Sequence, residues 1–237
     1  QMYESARQRW PDGRRFTFSS FRPQADIRLR TTAMSFGGLD VEGVIAGIPN
    51  QVRVPVYGRH NVVNLMAAAC LAVAVGVSPQ AIWERLKVCR PHWGRNQILR
   101  HPRGAQVLFD AYNANPDSMS AMIKGLYETS VAGKKILVLG EMKELGKFRA
   151  LAHRELGKLV AKSGVDLVSF VGDSADDFVA GLQAENFEKK PLILAAYEQS
   201  LATQLSAVIE PEDILVIKGS RSVGLEKLLA DLNIAST

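Results

Sequence analysis

The sequence predicts an α/β protein whose C-terminal part is a Rossmann-like, doubly wound parallel sheet, preceded by short antiparallel strands and helices. Two observations predict this. From about residue 98 onward, apolar strand-like runs alternate with amphipathic helix-like runs, which is typical of a parallel sheet covered by helices. Before that point, short alternating runs are interrupted by Gly, Pro and Asn, which indicates strands joined by tight turns.

The first part of the chain, up to about residue 57, predicts short antiparallel strands. Its apolar and polar residues alternate over a few positions at a time, and turn-forming residues separate the runs. These runs are FTFSSF, DIRLRTTAM, LDVEGVIAGI and QVRVPV.

Two helices are expected next. The first opens in the run GRHN at 58–61 and continues through Gly76. The second begins at Ser78, whose side chain can cap a helix, and Pro79 suits the first turn. We expect this second helix to end at about Val88.

The remainder of the chain alternates strand and helix, after a boundary that we place near 97–98, where the polar stretch RPHWGRNQ ends. Each apolar run is followed by a segment with helical periodicity, as in βαβ units. The expected pairs are QVLFDAY with PDSMSAMIKGLYETS, KKILVLG with LAHRELGKLVAKSG, VDLVSFVG with SADDFVAGLQAE, PLILAAY with EQSLATQLSAVI, and DILVIKGS with VGLEKLLADLN.

Composition and charge exclude several classes of protein. The chain is 47% hydrophobic and 22% charged, which indicates a folded globular protein rather than a disordered or fibrous one. Its net charge is +5, but Lys and Arg are interleaved with Asp and Glu, and the densest basic run, Arg7 to Arg15, lies near the N-terminal end. We therefore expect a solvated surface and no nucleic-acid partner. The apolar stretch at 64–77 is shorter than the roughly 20 residues of a membrane span, so we expect a buried helix and a soluble protein.

The cysteines and the N-terminus indicate where the protein works. Cys70 and Cys89 have no metal-ligand spacing around them, so packing in a reducing compartment is expected. No secretory signal is visible, which favours a cytoplasmic protein. The chain begins with Gln1 rather than Met, so we expect it to be a piece of a longer or processed protein.

Polar residues gather after four of the predicted strands. In an open parallel sheet, ligands bind beyond the carboxyl ends of the strands. Several polar loops at one edge of the sheet therefore predict a binding site there. The loops are 110–118, 140–146, 172–174 and 218–222.

The loop at 110–118 ends in a helix start that could attract an anion. Asn115 is a good N-cap and Pro116 a good first helical residue, so the following backbone amides would point at a carboxylate or phosphate. Lys218 and Arg221 could add positive charge to the same anion. Plain helix capping at Asn115 and a solvated turn at 218–221 remain the alternatives, and Asp173 could simply cap the next helix.

Common catalytic and nucleotide-binding motifs are missing from the sequence. It contains no GxxxxGK[ST], no GxGxxG and no His, Cys, Asp and Glu set with metal-ligand spacing. The four histidines are well separated, and His153 on a helix face is expected to be a packing or surface residue. We expect no catalytic residue and no metal ligand within the chain.

Several runs resemble the Mur ligase family. GRHNVVNLMAAA at 58–69, Gly94-Arg95 and DAYNANPDSM at 110–119 occur in the family's order, and the similarity runs from about residue 16 to the end. Within the family, NANPDSM, LGEMKELG at 139–146 with His153 shortly after, and KGSRS at 218–222 resemble the branch that adds D-alanyl-D-alanine. The Asn-Pro-Arg motif of the diaminopimelate-adding branch is absent.

The resemblance implies two domains and two sets of binding residues. Residues 1–97 would be the C-terminal part of the central ATP-binding domain, without its P-loop, and 98–237 the Rossmann-like C-terminal domain. Amide side chains suit a purine edge, Arg suits phosphate and a carboxylate suits a ribose diol. The implied ATP-binding residues are His60, Asn61, Asn64, Arg95 and Asp110. Those implied near the incoming dipeptide are Asn115, Asp117, Ser118, Lys218 and Arg221, while Glu141 and Lys143 are neighbours without a defined role.

The resemblance also implies a reaction. The family uses ATP and Mg²⁺ to activate a substrate carboxylate as an acyl phosphate, which the amine of D-alanyl-D-alanine then attacks. The implied partners are small molecules, D-alanyl-D-alanine and UDP-MurNAc-tripeptide, and we expect a monomer. The P-loop, the Mg²⁺ ligands, a modified lysine and the UDP-binding domain are expected upstream of Gln1. This piece would then contribute half of the ATP site and most of the dipeptide site, and it would be inactive alone.

Three alternatives stay open. A folylpolyglutamate synthetase has a similar architecture, although the runs NANPDS and EMKELG speak against it. A stand-alone binding or scaffold module could derive from a ligase that lost its ATPase half, and it would expose an apolar surface. A nucleic-acid-binding protein would be marked by a steep salt dependence of binding.

Overall fold

The computed structural model describes residues 15–235, which form two compact units. The first unit holds the described residues up to 33, together with 40–54 and 60–89, and the second holds 34–39, 55–59 and the described residues from 90 onward.

Two expectations from the sequence stay untested by the described residues. The basic residues at 7–14 lie outside the described residues. The division of the chain into the ligase domains 1–97 and 98–237 stays a prediction.

Residues 15–89 contain three strands and two helices among the described residues: β1 (Ile27–Ser35), β2 (Gly38–Ile45), β3 (Ile48–Val54), α1 (Asn61–Ala74) and α2 (Pro79–Val88). The strands pair in the order β1-β2-β3. Connections of only two residues allow only antiparallel neighbours. At the second connection, Ala46 (φ 44°) and Gly47 (φ 87°) both have the positive φ of a type I′ hairpin turn. The predicted antiparallel strands are confirmed for this sheet.

Two other expectations for this part are corrected. The run FTFSSF forms only a single bridge, between Phe18 and Ile27, instead of a strand. The Ser19 hydroxyl accepts hydrogen bonds from the amides of Phe21 and Arg22, and such local bonds compete with strand pairing. The apolar helix α1 is buried on one face only, since Leu71 is largely exposed.

Helix α2 begins where the sequence predicts. The Ser78 hydroxyl accepts a hydrogen bond from the Ala81 amide at 3.3 Å, and Pro79 occupies the first turn. The helix packs against β3, where the Trp83 indole donates to the Ile48 carbonyl at 3.1 Å. Both cysteines are free and half-buried. Within residues 15–235, no helix has the length and apolar character needed to cross a membrane.

The rest of the described chain forms a six-stranded sheet with helices on both faces. Its elements are β4 (Gln97–Arg100), β5 (Gln106–Asp110), α3 (Pro116–Glu128), β6 (Lys135–Gly140), α4 (Arg149–Ala161), β7 (Leu167–Val171), α5 (Ala175–Ala184), β8 (Leu192–Leu194), α6 (Gln199–Val208), β9 (Ile214–Lys218) and α7 (Lys227–Asp231). The strand order is β4-β5-β9-β6-β7-β8. All neighbours from β5 to β8 are parallel, which confirms the predicted α/β class.

Strand β4 is the element that the sequence does not predict, because the region before residue 98 reads as a polar link. It has only four residues and pairs antiparallel with β5 alone, at the edge of the sheet. A strand this short carries too little alternation to stand out from a loop.

Two hydrophobic clusters show which helices cover which face. Helices α3, α4 and α5 pack on one face, through residues such as Met119, Leu156 and Phe178. Helices α6 and α7 pack on the other, through Leu201 and Leu228. The loops after β5 and β6 therefore lead to one face, while the loop after β9, the strand between them, leads to the other. This reversal opens a crevice at the carboxyl edge of the sheet, where ligands bind in such folds.

Candidate functional site at the carboxyl edge of the sheet

A buried ion pair lies at the carboxyl ends of β5 and β9. Asp110 and Lys218 are register partners, and Lys218 Nζ donates to Asp110 Oδ2 at 2.5 Å. Lys218 Nζ also donates to the Asn113 carbonyl at 3.3 Å, and Asp110 Oδ1 accepts from the Asn96 amide at 3.0 Å. Lys218 is 1% exposed, so it does not lie in a solvated turn. Its charge is neutralised by a carboxylate of this same chain.

Arg95 lies beside this pair, on a tight turn. Gly94 (φ 70°) and Asn96 (φ 46°), the residues on either side of it, both have left-handed backbone conformations. The Gly94 carbonyl accepts from the Tyr112 amide at 3.0 Å, and its amide donates to Gln97 Oε1 at 2.7 Å. The turn holds the exposed Arg95 guanidinium 4.4 Å from the centroid of the Tyr112 ring.

Arg221 approaches the same ring from the loop after β9. Its guanidinium carbon lies 5.2 Å from the Tyr112 centroid and 5.8 Å from the Trp93 ring. The preceding Ser220 amide donates to the Glu141 carbonyl at 3.2 Å. Arg221 and Arg95 therefore share one aromatic neighbour, although sequence reasoning placed them in different binding sets.

Asn115 caps helix α3, as predicted. Its side-chain oxygen accepts from the Ser118 backbone amide at 2.8 Å, while the Asn115 backbone amide donates to Ser118 Oγ at 3.2 Å. This is a reciprocal capping box, in which two backbone donors are satisfied. The capping interpretation is confirmed, and it occupies polar atoms of two residues proposed for the dipeptide. Asp117, in the first turn of the helix, is exposed.

Glu141 is a second buried carboxylate on this edge, directly after β6. Three donors reach its side chain: Lys143 Nζ at 2.6 Å, Ser174 Oγ at 2.8 Å and the Asp173 amide at 3.2 Å. Arg149 Nε donates to Ser174 Oγ at 2.8 Å and forms an ion pair with Glu141 at 3.4 Å. Burial alone would raise the pKa of Glu141, but the hydrogen bonds from Lys143 and Ser174 and the charge of Lys143 together lower it. The carboxylate is ionised and ties the loops after β6 and β7 together.

His153, on α4, is buried beneath this loop and is neutral. Its Nε2 accepts from the Met142 amide at 2.9 Å, and its Nδ1 lies 2.8 Å from the Arg149 carbonyl. Because a carbonyl can only accept and an amide can only donate, the ring proton lies on Nδ1. Burial lowers the pKa of His153. Both nitrogens serve the backbone, so the residue packs and positions the loop, as its place on a helix face predicts.

Known proteins similar to this chain identify its family. The family described as "Mur ligase, glutamate ligase domain" matches residues 94–221, which is more than half of the chain. The chain belongs to the Mur ligase family. It is 31% identical over 207 residues to UDP-N-acetylmuramoyl-tripeptide–D-alanyl-D-alanine ligase of Bacillus subtilis, covering 87% of this chain and 45% of that protein. The ligase of the same name from Treponema pallidum is 35% identical, covering 75% of this chain and 38% of that one.

Solved structures of Mur ligases have the same fold. A crystal structure of MurF from Acinetobacter baumannii superimposes with a TM-score of 0.82 and 26% identity, over 97% of this chain and 49% of that one. MurF from Thermotoga maritima in complex with ADP gives a TM-score of 0.76 at 23% identity, a likeness of fold alone, over 97% of this chain and 51% of that one. The chain is homologous to MurF-type ligases of peptidoglycan synthesis, and it spans about half the length of these proteins or less.

The structure places the predicted site residues of this Mur ligase chain in two groups. The first unit carries His60, Asn61 and Asn64 at the start of α1, where Asn64 Nδ2 donates to Asn61 Oδ1 at 3.0 Å. The second unit carries the others along the carboxyl edge of its sheet: Arg95, Asp110, Asn115, Asp117, Ser118, Lys218 and Arg221. Their roles toward ATP and dipeptide stay predictions.

Sequence reasoning missed the aromatic residues that organise this edge. Tyr112 lies inside the DAYNANPDSM run, between Asp110 and Asn113, and it is the ring that both arginines approach. An aromatic residue among polar motif residues was the available signal. Glu141 was noted only as a neighbour, because its partners other than Lys143 lie on separate parts of the chain.

Proposed function

We propose that this chain is the C-terminal half of an ATP-dependent ligase that joins D-alanyl-D-alanine to UDP-MurNAc-tripeptide, and that it is inactive alone. The proposal rests on an observation at the carboxyl edge of the second unit's sheet. There the motif residues Asp110, Lys218 and Arg221 converge in a chain homologous to MurF-type ligases. The relatives that it matches at about a third identity bear the name of this activity.

The proposed contribution to ATP binding consists of two amides and a basic turn. Asn61 and Asn64 lie one helical turn apart on one side of α1, where Asn64 Nδ2 donates to Asn61 Oδ1 at 3.0 Å, with His60 adjoining. Amide side chains suit the edge of a purine. Arg95 carries the positive charge for phosphate, and Asp110 retains acceptor capacity for a ribose diol, because a carboxylate has about four acceptor positions. ATP supplies the phosphoryl group that activates the substrate carboxylate.

We propose that the residues described here do not supply the ligands of Mg²⁺. Within residues 15–235, no three His, Cys, Asp or Glu side chains lie close enough together to hold a metal ion. The Asp110 carboxylate is bonded to Lys218 and to a backbone amide. We propose that Mg²⁺ and the P-loop belong to the part of the relatives that this chain does not span.

The proposed dipeptide contribution centres on the start of α3. Asp117 is an exposed carboxylate in the first helical turn and suits the ammonium group of D-alanyl-D-alanine. Asn115 and Ser118 hold that turn in shape through their capping box. Lys218 acts indirectly, because its ammonium group fixes Asp110 and the Asn113 carbonyl.

Binding of D-alanyl-D-alanine to the 237-residue chain, measured by calorimetric titration, tests the proposal. We expect binding of the D,D-dipeptide in preference to L-alanyl-L-alanine. The variant Asp117→Asn should weaken it roughly tenfold, the loss expected for one charge-assisted hydrogen bond. Asp176→Asn is the matched control, because Asp176 is also an exposed acid in a first helical turn.

Two results would contradict the proposal. Equal binding of the two dipeptides, or none, would remove the dipeptide site from this chain. Ligase turnover by the isolated chain with ATP, Mg²⁺, UDP-MurNAc-tripeptide and D-alanyl-D-alanine, measured as phosphate release, would show that it is not an inactive half.

A further inference from the structure

Two arginines at the carboxyl edge have no acidic partner in the part of the chain that the structure describes. Arg95 and Arg221 both approach the Tyr112 ring, at 4.4 and 5.2 Å from its centroid, and neither forms an ion pair within residues 15–235. Since both distances start from one point, the two positive charges lie within about 10 Å of each other, roughly one Debye length at 0.1 M salt. Salt therefore screens their mutual repulsion only in part.

The acidic residue on the segments that carry the two arginines does not neutralise them. On the three segments that carry the cluster, 92–97, 110–114 and 218–224, Asp110 is the only acidic residue. Its carboxylate is paired with the buried Lys218 ammonium and bonded to the Asn96 amide. The four charged groups of these segments therefore leave an excess of two positive charges beside an open crevice, which favours an anion.

Arg95 is held in place before any ligand arrives. Its neighbours Gly94 and Asn96 have left-handed φ values of 70° and 46°. For Asn96 such a conformation is uncommon, and it persists because its amide is bonded to Asp110. A Cβ at Gly94 would come within 3.1 Å of Tyr112 Cβ, so the turn lies directly against the tyrosine.

Arg221 is also held in place. It opens a short 3-10 turn (Arg221–Val223) that Gly224 closes with a φ of 76°. The preceding Ser220 donates its amide to the Glu141 carbonyl and accepts from the Lys143 amide through Oγ, at 3.2 and 2.9 Å. Two arginines on turns anchored separately, over one ring, form a pre-arranged pair of donors.

We propose that Arg95 and Arg221 together bind one phosphate-type dianion, with Tyr112 as the platform that orients both guanidinium groups. A dianion neutralises both charges, whereas the single negative charge of a dipeptide carboxylate leaves one uncompensated. Each guanidinium can offer two parallel donors to phosphate oxygens. This assignment rests on the proposed function, and it moves Arg221 from the dipeptide site to the site of the phosphoryl group. Two fixed cations there would stabilise the negative charge during phosphoryl transfer.

The test uses the 237-residue chain labelled with ¹⁵N and titrated with inorganic phosphate near neutral pH. The side-chain Nε–H signals of Arg95 and Arg221 are assigned through Arg95→Lys and Arg221→Lys. We expect both signals to shift with the same midpoint, because one anion contacts both groups. Movement of only one signal, or two separate midpoints, would overturn the proposal.

Variants test the platform. Arg221→Gln should weaken phosphate binding about tenfold, the usual loss for one charge-assisted hydrogen bond. Tyr112→Ala should weaken it as well, whereas Tyr112→Phe keeps the ring and should bind as the wild type does. Arg154→Gln is the control, because Arg154 is exposed on α4 and outside this cluster. A Tyr112→Ala chain that folds and binds phosphate normally would contradict the role of the ring.

Further titrations separate this proposal from the proposed function and identify the source of the phosphate. If ATP shifts both signals at lower concentration than phosphate does, and adenosine shifts neither, the terminal phosphate of the nucleotide is the ligand. Equal midpoints for ATP and phosphate indicate a free phosphoryl group, which also supports the proposal. If D-alanyl-D-alanine binds and shifts Arg221 while phosphate shifts neither arginine, this inference fails and the ligase assignment stands.

Discussion

The carboxyl edge of the parallel sheet carries two buried carboxylates whose surroundings differ. Asp110 ends β5 and Glu141 directly follows β6, so they lie on either side of β9. Each is bonded to a lysine. Lys218, beside Asp110, has 1% of its side chain exposed, whereas Lys143, beside Glu141, has 43% exposed. Besides its lysine, Glu141 accepts from two further donors and forms an ion pair with Arg149, while Asp110 accepts from one backbone amide.

The difference separates a structural carboxylate from one suited to a ligand. Three donors from this chain's own loops bond to Glu141 and Arg149 pairs with it, so it holds the loops after β6 and β7 together. Asp110 keeps acceptor capacity and lies close to two arginines that have no acidic partner within residues 15–235. Similar buried ion pairs in one fold can therefore serve different purposes, and the surrounding donors tell them apart.

Removing each lysine in turn should give the largest difference in the free energy of unfolding between the two sites. Lys218→Met leaves Asp110 buried without its cation and should lower the free energy of unfolding by about 3–5 kcal/mol. Lys143→Met is the matched variant and should cost about 1 kcal/mol or less, because this lysine is partly exposed and Glu141 keeps its other donors. Urea unfolding followed by circular dichroism measures both.

A double variant checks the cause of the larger loss. Lys218→Met combined with Asp110→Asn removes the stranded charge, so it should be more stable than Lys218→Met alone. Equal losses for Lys218→Met and Lys143→Met would mean that burial does not distinguish the two pairs.

The sequence predicts the α/β class and nearly all the helices and strands of the second part, because their apolar periodicity is local. It does not predict the Asp110–Lys218 pair. These residues are far apart in the chain, and they meet because β9 inserts between β5 and β6 in parallel register. Motif reasoning placed one with ATP and the other with the dipeptide, and only the strand order shows that they bond to each other.

Glu141 illustrates a second limit. The run EMKELG contains its lysine partner, but Ser174, Asp173 and Arg149 come from other parts of the chain. Local patterns predict which residues end a strand, and they do not predict which of several polar loops will satisfy one another. The convergence of the loops on one edge could be predicted, whereas the pairing within it could not.

Neutralising Glu141 should have a smaller effect than removing Lys218. Glu141→Gln keeps the shape of the side chain but loses its ion pairs with Lys143 and Arg149, and we expect a loss of about 1.5–3 kcal/mol in the free energy of unfolding. Glu155→Gln, which removes an exposed ion pair with Lys158 on α4, is the control and should cost less than about 0.5 kcal/mol. If the two variants lose equal stability, Glu141 does not hold the loops together.

The smallest expected effect is a pH dependence that arises on the Glu141 side of the edge. Burial lowers the pKa of His153 from its ordinary value of 6.5, so the folded chain keeps the ring neutral where the unfolded chain has begun to bind a proton. Stability is therefore complete above about pH 6.5 and falls as the pH drops through that value toward the lower folded-state pKa.

Comparing unfolding at about pH 7.5 and 5.5 for the wild type and His153→Gln isolates this contribution. The variant should lose less stability between the two pH values than the wild type does, whatever its stability at the higher pH. Some loss will remain, because burial and the charge of Arg103 lower the pKa of His101 as well. Among residues 15–235, no such histidine bonds to the Asp110 loop, where β9 supplies a lysine instead. An unchanged pH dependence in His153→Gln would show that the neutral His153 ring does not cause the loss of stability at low pH. The two carboxylates would then differ only in their partners.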